Sequence, residues 1–247
     1  LMFGDFVTLA ADQIVNHLAK FRAMYDGQVA TPVTIRMAVG GGRGYGPTHS
    51  QSLEKMFLGI PHLNIVAPSV FHDPGLLLEH AILQDDTPVL FLEHKLLYPM
   101  RLWVGDGGGL TRELIPESSG YPTAVVRNFK ANKPDVAIIG YGGASVFLAD
   151  LMGKLIPDEI RISACLPSAL QPLPIETLVR VAGEAGRVIV VENGTEGFGW
   201  NAEVAASLYE RIGSKLAVPI KRIAAAPTVI PVAAELEHQV LVSADGI

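Results

Sequence analysis

The chain has 247 residues, with 19 lysines and arginines against 25 aspartates and glutamates, a net charge of −6 and no basic cluster. That excludes a nucleic-acid footprint, which needs concentrated positive charge, and the 49% apolar content with mean hydropathy +0.33 excludes disorder. No apolar run reaches the ~18 residues of a membrane span, so the surplus apolar surface points to subunit contacts, and the lone Cys165 fits a reducing, cytoplasmic setting without disulfides.

Residues 1–6, LMFGDF, read as a strand end running into a loop, and the absence of an initiator Met suggests a piece of a longer chain. Apolar spacing at Leu9, Ile14, Leu18 and Phe21 predicts a helix over 8–24. PVTIRMAV (32–39) is a β-branched run bounded by Pro and Gly, the pattern of a buried strand. It leads into GGGRGYGPTHSQS (40–52). There Thr48 and Gln51 have capping-box spacing, and Leu53, Met56, Phe57 and Ile60 supply one apolar helical face. A strand over 63–67, a helix from Asp73–Pro74 to about Gln84 and a strand over 88–92 follow. Residues 99–124 are rich in Gly and Pro and read as a linker.

The alternation then resumes. Strands are predicted over 135–140, 159–164, 187–192 and 219–223, and helices over 144–155, 174–184 and 200–212. The fold class is α/β, with two parallel-sheet domains at 1–98 and 125–247, and ligands on such sheets gather at the carboxyl ends of the strands.

His49 is the first candidate for chemistry. A first-turn imidazole would face the positive helix end, which favours the neutral ring, and the glycines ahead of it permit close approach of a ligand. GYGGAS (140–145) reads as a tight strand-to-helix turn rather than a dinucleotide cradle, because Ser145 stands where the fingerprint needs glycine. In VENGTEGFGWNAE (191–203), Glu192 and Glu196 could pair for acid–base work but read better as a loop and helix cap. Cys165 reads as a small buried hydrophobe, and the remaining histidines lack zinc-ligand spacing.

Together, DFVTLAADQIVNHLAKFRAM, GQVATPVTIRMAVGGGRGYGPTHSQSLEKMF, IPHLNIVAPS and DPGLLLEHAILQDDTPVLFLEHKLLY resemble the beta subunit of the thiamine-diphosphate-dependent decarboxylating component of 2-oxo acid dehydrogenases of pyruvate, branched-chain and acetoin type. The likeness is dense over 2–98. It continues through PLPIETL, RVIVVENGTEGFGWNAEVAA and APTVIPVAAELE to about residue 240.

The resemblance implies a transketolase-like pyrimidine-binding domain, N-terminally incomplete, and a transketolase C-terminal-like domain. It implies oxidative decarboxylation of a 2-oxo acid with acyl transfer to lipoyl. An alpha subunit would hold the diphosphate and Mg²⁺, the beta chain would cover the aminopyrimidine, and the isolated chain would be inactive. The expected assembly is α₂β₂ with a beta–beta dimer and a lipoyl-bearing acyltransferase core. His49 matches the active-site histidine and Phe6 the aromatic that packs on the aminopyrimidine. Val33 and Ala81 match carbonyls that hold K⁺ in some members, aided by Asp86 or its neighbour Asp85. The family's cofactor-activating glutamate falls ahead of Leu1. Two other functions are compatible with the residues: a transketolase-like transferase, or a truncated non-catalytic paralogue serving as an assembly module.

Overall fold

The computed structural model describes residues 1–103, 105 and 108–247; Val104, Asp106 and Gly107, within the predicted linker, lie outside the described residues. Leu1–Phe3 form no strand, and the chain turns helical at Gly4. The predicted helix over 8–24 is a continuous helical run with three windings: a 3₁₀ stretch over Gly4–Ala10, a π stretch over Gln13–Leu18 and helix α1 (Ala19–Met24). Wide and narrow turns side by side let Val7, Ile14 and Ala19 all reach the core.

Strand β1 (Thr34–Val39) follows, then β2 (Asn64–Val66), helix α2 (Pro74–Leu83) and β3 (Val89–His94). Asp73 caps α2 by accepting from the amides of Gly75 and Leu76. The sheet order is β1-β3-β2, all parallel. The 99–124 segment contains β4 (Thr111–Ile115), which pairs antiparallel with β5 (Thr123–Arg127) and forms the edge of the second sheet.

That second sheet is completed by β6 (Val136–Ile139), β7 (Ile162–Pro167), β9 (Val188–Thr195) and β10 (Lys221–Ala225), in the order β10-β9-β6-β7-β5-β4. Its parallel part, β10-β9-β6-β7, is as expected from strand–helix alternation. Helices α3 (Ala144–Lys154), α4 (Ile175–Ala185) and α5 (Trp200–Ile212) cover it, and the sequence reading missed a last helix, α6 (Ala234–Val240). Helix α4 stops because Gly186 takes a left-handed φ of +72°.

The two sheets are stitched by β8 (Ala169–Gln171), which leaves the second half to pair antiparallel with β2. The Gln171 side chain secures the join, donating from Nε2 to the carbonyls of Ile60 and Leu63 at 2.7 Å each while Oε1 accepts from the Gly59 amide. One apolar cluster accordingly runs from Val7 and Ile14 through Leu90 to Val190 and Leu208.

The predicted helix after Thr48 does not form, apart from one 3₁₀ turn at Glu54–Met56. Both members of the capping box are engaged elsewhere. Thr48 Oγ1 bonds His49 Nδ1 at 2.9 Å, and the amide and side chain of Gln51 both donate to Asp5 Oδ1. No helix dipole therefore acts on His49.

Candidate functional site

His49 sits half-buried in an aromatic corner built by two segments far apart in sequence. Phe3, just ahead of the first helical turn, and Phe6, on it, meet the imidazole edge-on with centroids 4.5 and 5.3 Å away. Tyr45 closes the corner against Phe3 at 5.8 Å. Phe6 keeps 41% of its surface exposed, so one aromatic face beside the histidine is open.

Lys95, at the carboxyl end of β3, lies buried beneath this corner. Its ammonium sits 5.0 Å from the Phe3 ring centroid and 5.5 Å from that of Tyr45, and it donates to the His49 carbonyl. Burial lowers the Lys95 pKa, while the nearby Asp5 and Glu237 carboxylates oppose that shift. The glycine loop above is fixed from the second domain, because Glu237 accepts from the amides of Gly42 and Gly44 at 2.9 Å each. An open groove of about 640 Å³ flanks the corner, running from Thr48 and Gln51 to Ala225 and Val229.

Glu192 and Glu196 do not pair: Glu196 is exposed, and Glu192 is buried and faces Glu54 from the other domain. The Tyr141 hydroxyl donates to Glu54 Oε1 at 2.6 Å, the Asn201 amide donates to Glu192 Oε2 at 3.0 Å, and the Tyr141 and Trp200 rings pack edge-on at 5.0 Å. Lys55 is turned outward to Thr195 and Gly197. Burial raises both carboxyl pKa values, that of Glu192 from 4.5 to about 7, where repulsion from Glu54 adds to the shift.

A raised carboxyl pKa favours the protonated form in the fold. The stability Glu192 contributes is thus full below pH 4.5 and lost as pH rises through about 7. Glu192→Gln should gain about 3 kcal/mol over the parent between pH 5 and pH 8, at ~1.4 kcal/mol per pKa unit, read from urea midpoints. Parallel pH profiles for parent and variant would show that the shift is absent.

The predicted K⁺ residues meet near the start of β1. There the Val33 carbonyl accepts from the Val89 amide at 3.0 Å and the Ala81 carbonyl accepts from Thr34 Oγ1 at 2.8 Å. Asp86 is ion-paired with Arg22, and Asp85 accepts from Tyr121 and Asn64. Among the described residues no cluster of His, Cys, Asp and Glu could hold a metal ion. Cys165 is fully buried and its thiol is pushed up to about 12, so it is no nucleophile. At GYGGAS, the His94 ring occupies the space beside Gly143. The turn is closed by Ser145 Oγ donating to the Gly142 carbonyl at 2.6 Å.

Sequence reading named His49 and Phe6 but did not point to Phe3, Tyr45, Lys95, Glu237 or the Glu54–Tyr141–Glu192 network that surround or neighbour them. These residues lie in segments that meet only through tertiary packing. The one available signal was Lys95, a cation ending an apolar strand, where ligands of parallel sheets gather.

The chain matches the model of the transketolase pyrimidine-binding domain over 1–101 and that of the transketolase C-terminal domain over 127–247. It is 32% identical to the acetoin:2,6-dichlorophenolindophenol oxidoreductase subunit beta of Cupriavidus necator, across 100% of this chain and 70% of that one. It is 31% identical to the 2-oxoisovalerate dehydrogenase subunit beta of Bacillus subtilis, across 100% and 72% respectively. Among solved structures, a split gene transketolase, described as an inactive beta4 tetramer, superposes with TM-score 0.65 over 99% of this chain and 72% of that one. At 15% identity that likeness shows the fold alone. No described helix is long and apolar enough to cross a membrane.

Proposed function

Because the chain belongs to the transketolase-like family of beta subunits found in acetoin and 2-oxo acid dehydrogenases, we propose that it forms the pyrimidine-side half of a thiamine diphosphate site. The reaction would be oxidative decarboxylation of a 2-oxo acid with acyl transfer to a lipoyl group. The carrying observation is the aromatic corner, in which the open ring of Phe6 stands 5.3 Å from the His49 imidazole. A flat heteroaromatic ring fits such a face by stacking.

When bound, the cofactor supplies an electron sink for the electron pair left by departing CO₂. This chain's part is to bind and to move a proton. Phe6 offers the stacking face, Phe3 and Tyr45 exclude water, and Lys95 anchors the His49 backbone. Thr48 Oγ1 holds Nδ1 at 2.9 Å and leaves Nε2 as the working atom. The Thr48 hydroxyl can donate to Nδ1 or accept from it, so either tautomer is supported and Nε2 can give or take a proton. Mg²⁺ and the diphosphate would be held by an alpha subunit in an α₂β₂ assembly. K⁺, where used, would be held by the Val33 and Ala81 carbonyls, aided by Asp86 or Asp85.

A transferase acting on sugar phosphates is less well supported. Lys95 is covered by rings, and Arg43, though exposed, spends one donor on the Lys95 carbonyl at 3.2 Å, so the corner offers a phosphate little concentrated positive charge.

Titrating thiamine diphosphate with Mg²⁺ into this chain, with and without a cognate alpha subunit, tests the reading. Saturable binding is expected only with both subunits present. Tight binding to the isolated chain would overturn the shared site, and no binding by the pair would favour an assembly module.

A further inference from the structure

Glu237 is 3% exposed and lies more than 190 residues from the glycine loop, and its carboxylate is aimed at two of the loop's amides. Both oxygens are used: Oε1 accepts from Gly42 and Oε2 from Gly44, each at 2.9 Å. The loop conformation that makes this possible is strained for any other residue, with φ of +84°, +85°, +69° and +72° at Gly40, Gly42, Gly44 and Gly46. The segment around Glu237 fits the loop tightly. A Cβ on Gly41 would lie 2.6 Å from Leu241, and one on Gly46 would lie 2.7 Å from Val232.

From this loop a chain of contacts reaches the histidine. Arg43, between the two clamped amides, donates to the Lys95 carbonyl, and the Lys95 ammonium donates to the His49 carbonyl. Tyr45 lies over that ammonium and against Phe3, which itself packs on His49. Beneath the loop lies a cavity of about 310 Å³ lined by Gly40, Gly42, His94, Glu237 and Leu241.

We propose that Glu237 is a positioning residue: a carboxylate from the C-terminal half that fixes the 40–46 loop and, through Arg43, Tyr45 and Lys95, sets the place of His49. This rests on the proposed function only for what His49 does there; the clamp itself is independent of it. A carboxylate suits the task because two N–H donors meet two acceptor oxygens. Glutamine at this position would set its own NH₂ against one of the amides, losing a charge-assisted bond and adding a donor–donor contact.

The test uses the chain, alone and assembled with its alpha subunit. In Glu237→Gln, hydrogen exchange of the 40–46 amides and tryptic cleavage after Arg43 should each rise at least about tenfold, the factor matching loss of one charged hydrogen bond. Core peptides from β6 and β7 should be unchanged. The His49 Hε1 resonance, shifted by the Phe3 and Phe6 rings, should move toward its free-histidine position. Glu237→Asp, one methylene shorter but still charged, should give intermediate values and serves if the glutamine variant does not fold. A folded variant with unchanged loop protection and an unmoved His49 resonance would overturn the proposal. If the loop is released while the assembled enzyme proves to lack 2-oxo acid activity in parent and variant alike, the clamp stands and the functional reading fails.

Discussion

Gly40→Ala should destabilise the protein by about 2–5 kcal/mol, combining overpacking of ~1–3 kcal/mol with ~1–2 kcal/mol for a left-handed backbone. Gly40 ends β1 at φ +84°, and a Cβ there would fall 1.9 Å from Nε2 of His94. The ring borders the cavity of about 310 Å³ but is otherwise packed against both halves of the chain. It is 5% exposed, and on its other side a Cβ on Gly143 would stand only 2.5 Å away, so two glycines from different domains enclose one imidazole. Burial also lowers the His94 pKa to about 4, and Nδ1 accepts from the Leu96 amide at 3.3 Å, so the enclosed ring is neutral. Gly27→Ala is the control: its φ is +74°, but no atom lies within 4 Å of its Cβ. It should cost only about 1 kcal/mol, the backbone penalty alone. Urea denaturation of both variants checks this, and equal losses would mean that the His94 ring moves freely.

This interlock shows why the fold was more legible than the site. Strands such as VLFLEH and RVIVVE announce themselves by β-branched and apolar runs, and Asp73–Pro74 announces a helix start by local chemistry alone. Both signals act over a few residues, and the structure places elements there. The segment after Thr48 had an equally good local signal, and it failed. Asp5, 46 residues away, takes both the amide and the side chain of Gln51, and a long-range bond outcompeted the local cap. The glycine motif GYGGAS was legible as a turn, but its reason, room for His94, was not. Nor could periodicity reveal that Glu54 and Glu192 share a buried site, since one opens a 3₁₀ turn and the other lies within β9 in the other half. Family likeness supplied His49 and Phe6. Packing alone supplied Phe3, Tyr45, Lys95 and Glu237.

His49→Ala in the assembled alpha–beta enzyme should lower the rate of lipoyl reductive acylation by about 10²–10⁴-fold, the span for loss of a positioned proton donor or acceptor. Folding should be nearly unaffected, because the side chain is only half-buried and its carbonyl, which Lys95 holds, remains. Cofactor affinity should change little. Phe6→Ala should do the reverse, weakening thiamine diphosphate binding by about three- to tenfold, as for loss of one aromatic stack worth ~0.5–1.5 kcal/mol, with a smaller effect on the rate at saturation. The contrast separates two roles that adjacency alone leaves joined, since the two rings are 5.3 Å apart. Thr48→Val adds a third arm. Removing the hydroxyl that holds Nδ1 should lower the rate about 10-fold, as a lost hydrogen bond of ~1–1.5 kcal/mol would, because the imidazole keeps its place but loses the partner that serves both tautomers. Single-turnover acylation with a lipoyl acceptor, alongside cofactor titration, reads all three. If His49→Ala left acylation unchanged while Phe6→Ala still weakened the cofactor, the corner would be a binding surface and the proton would have to move elsewhere.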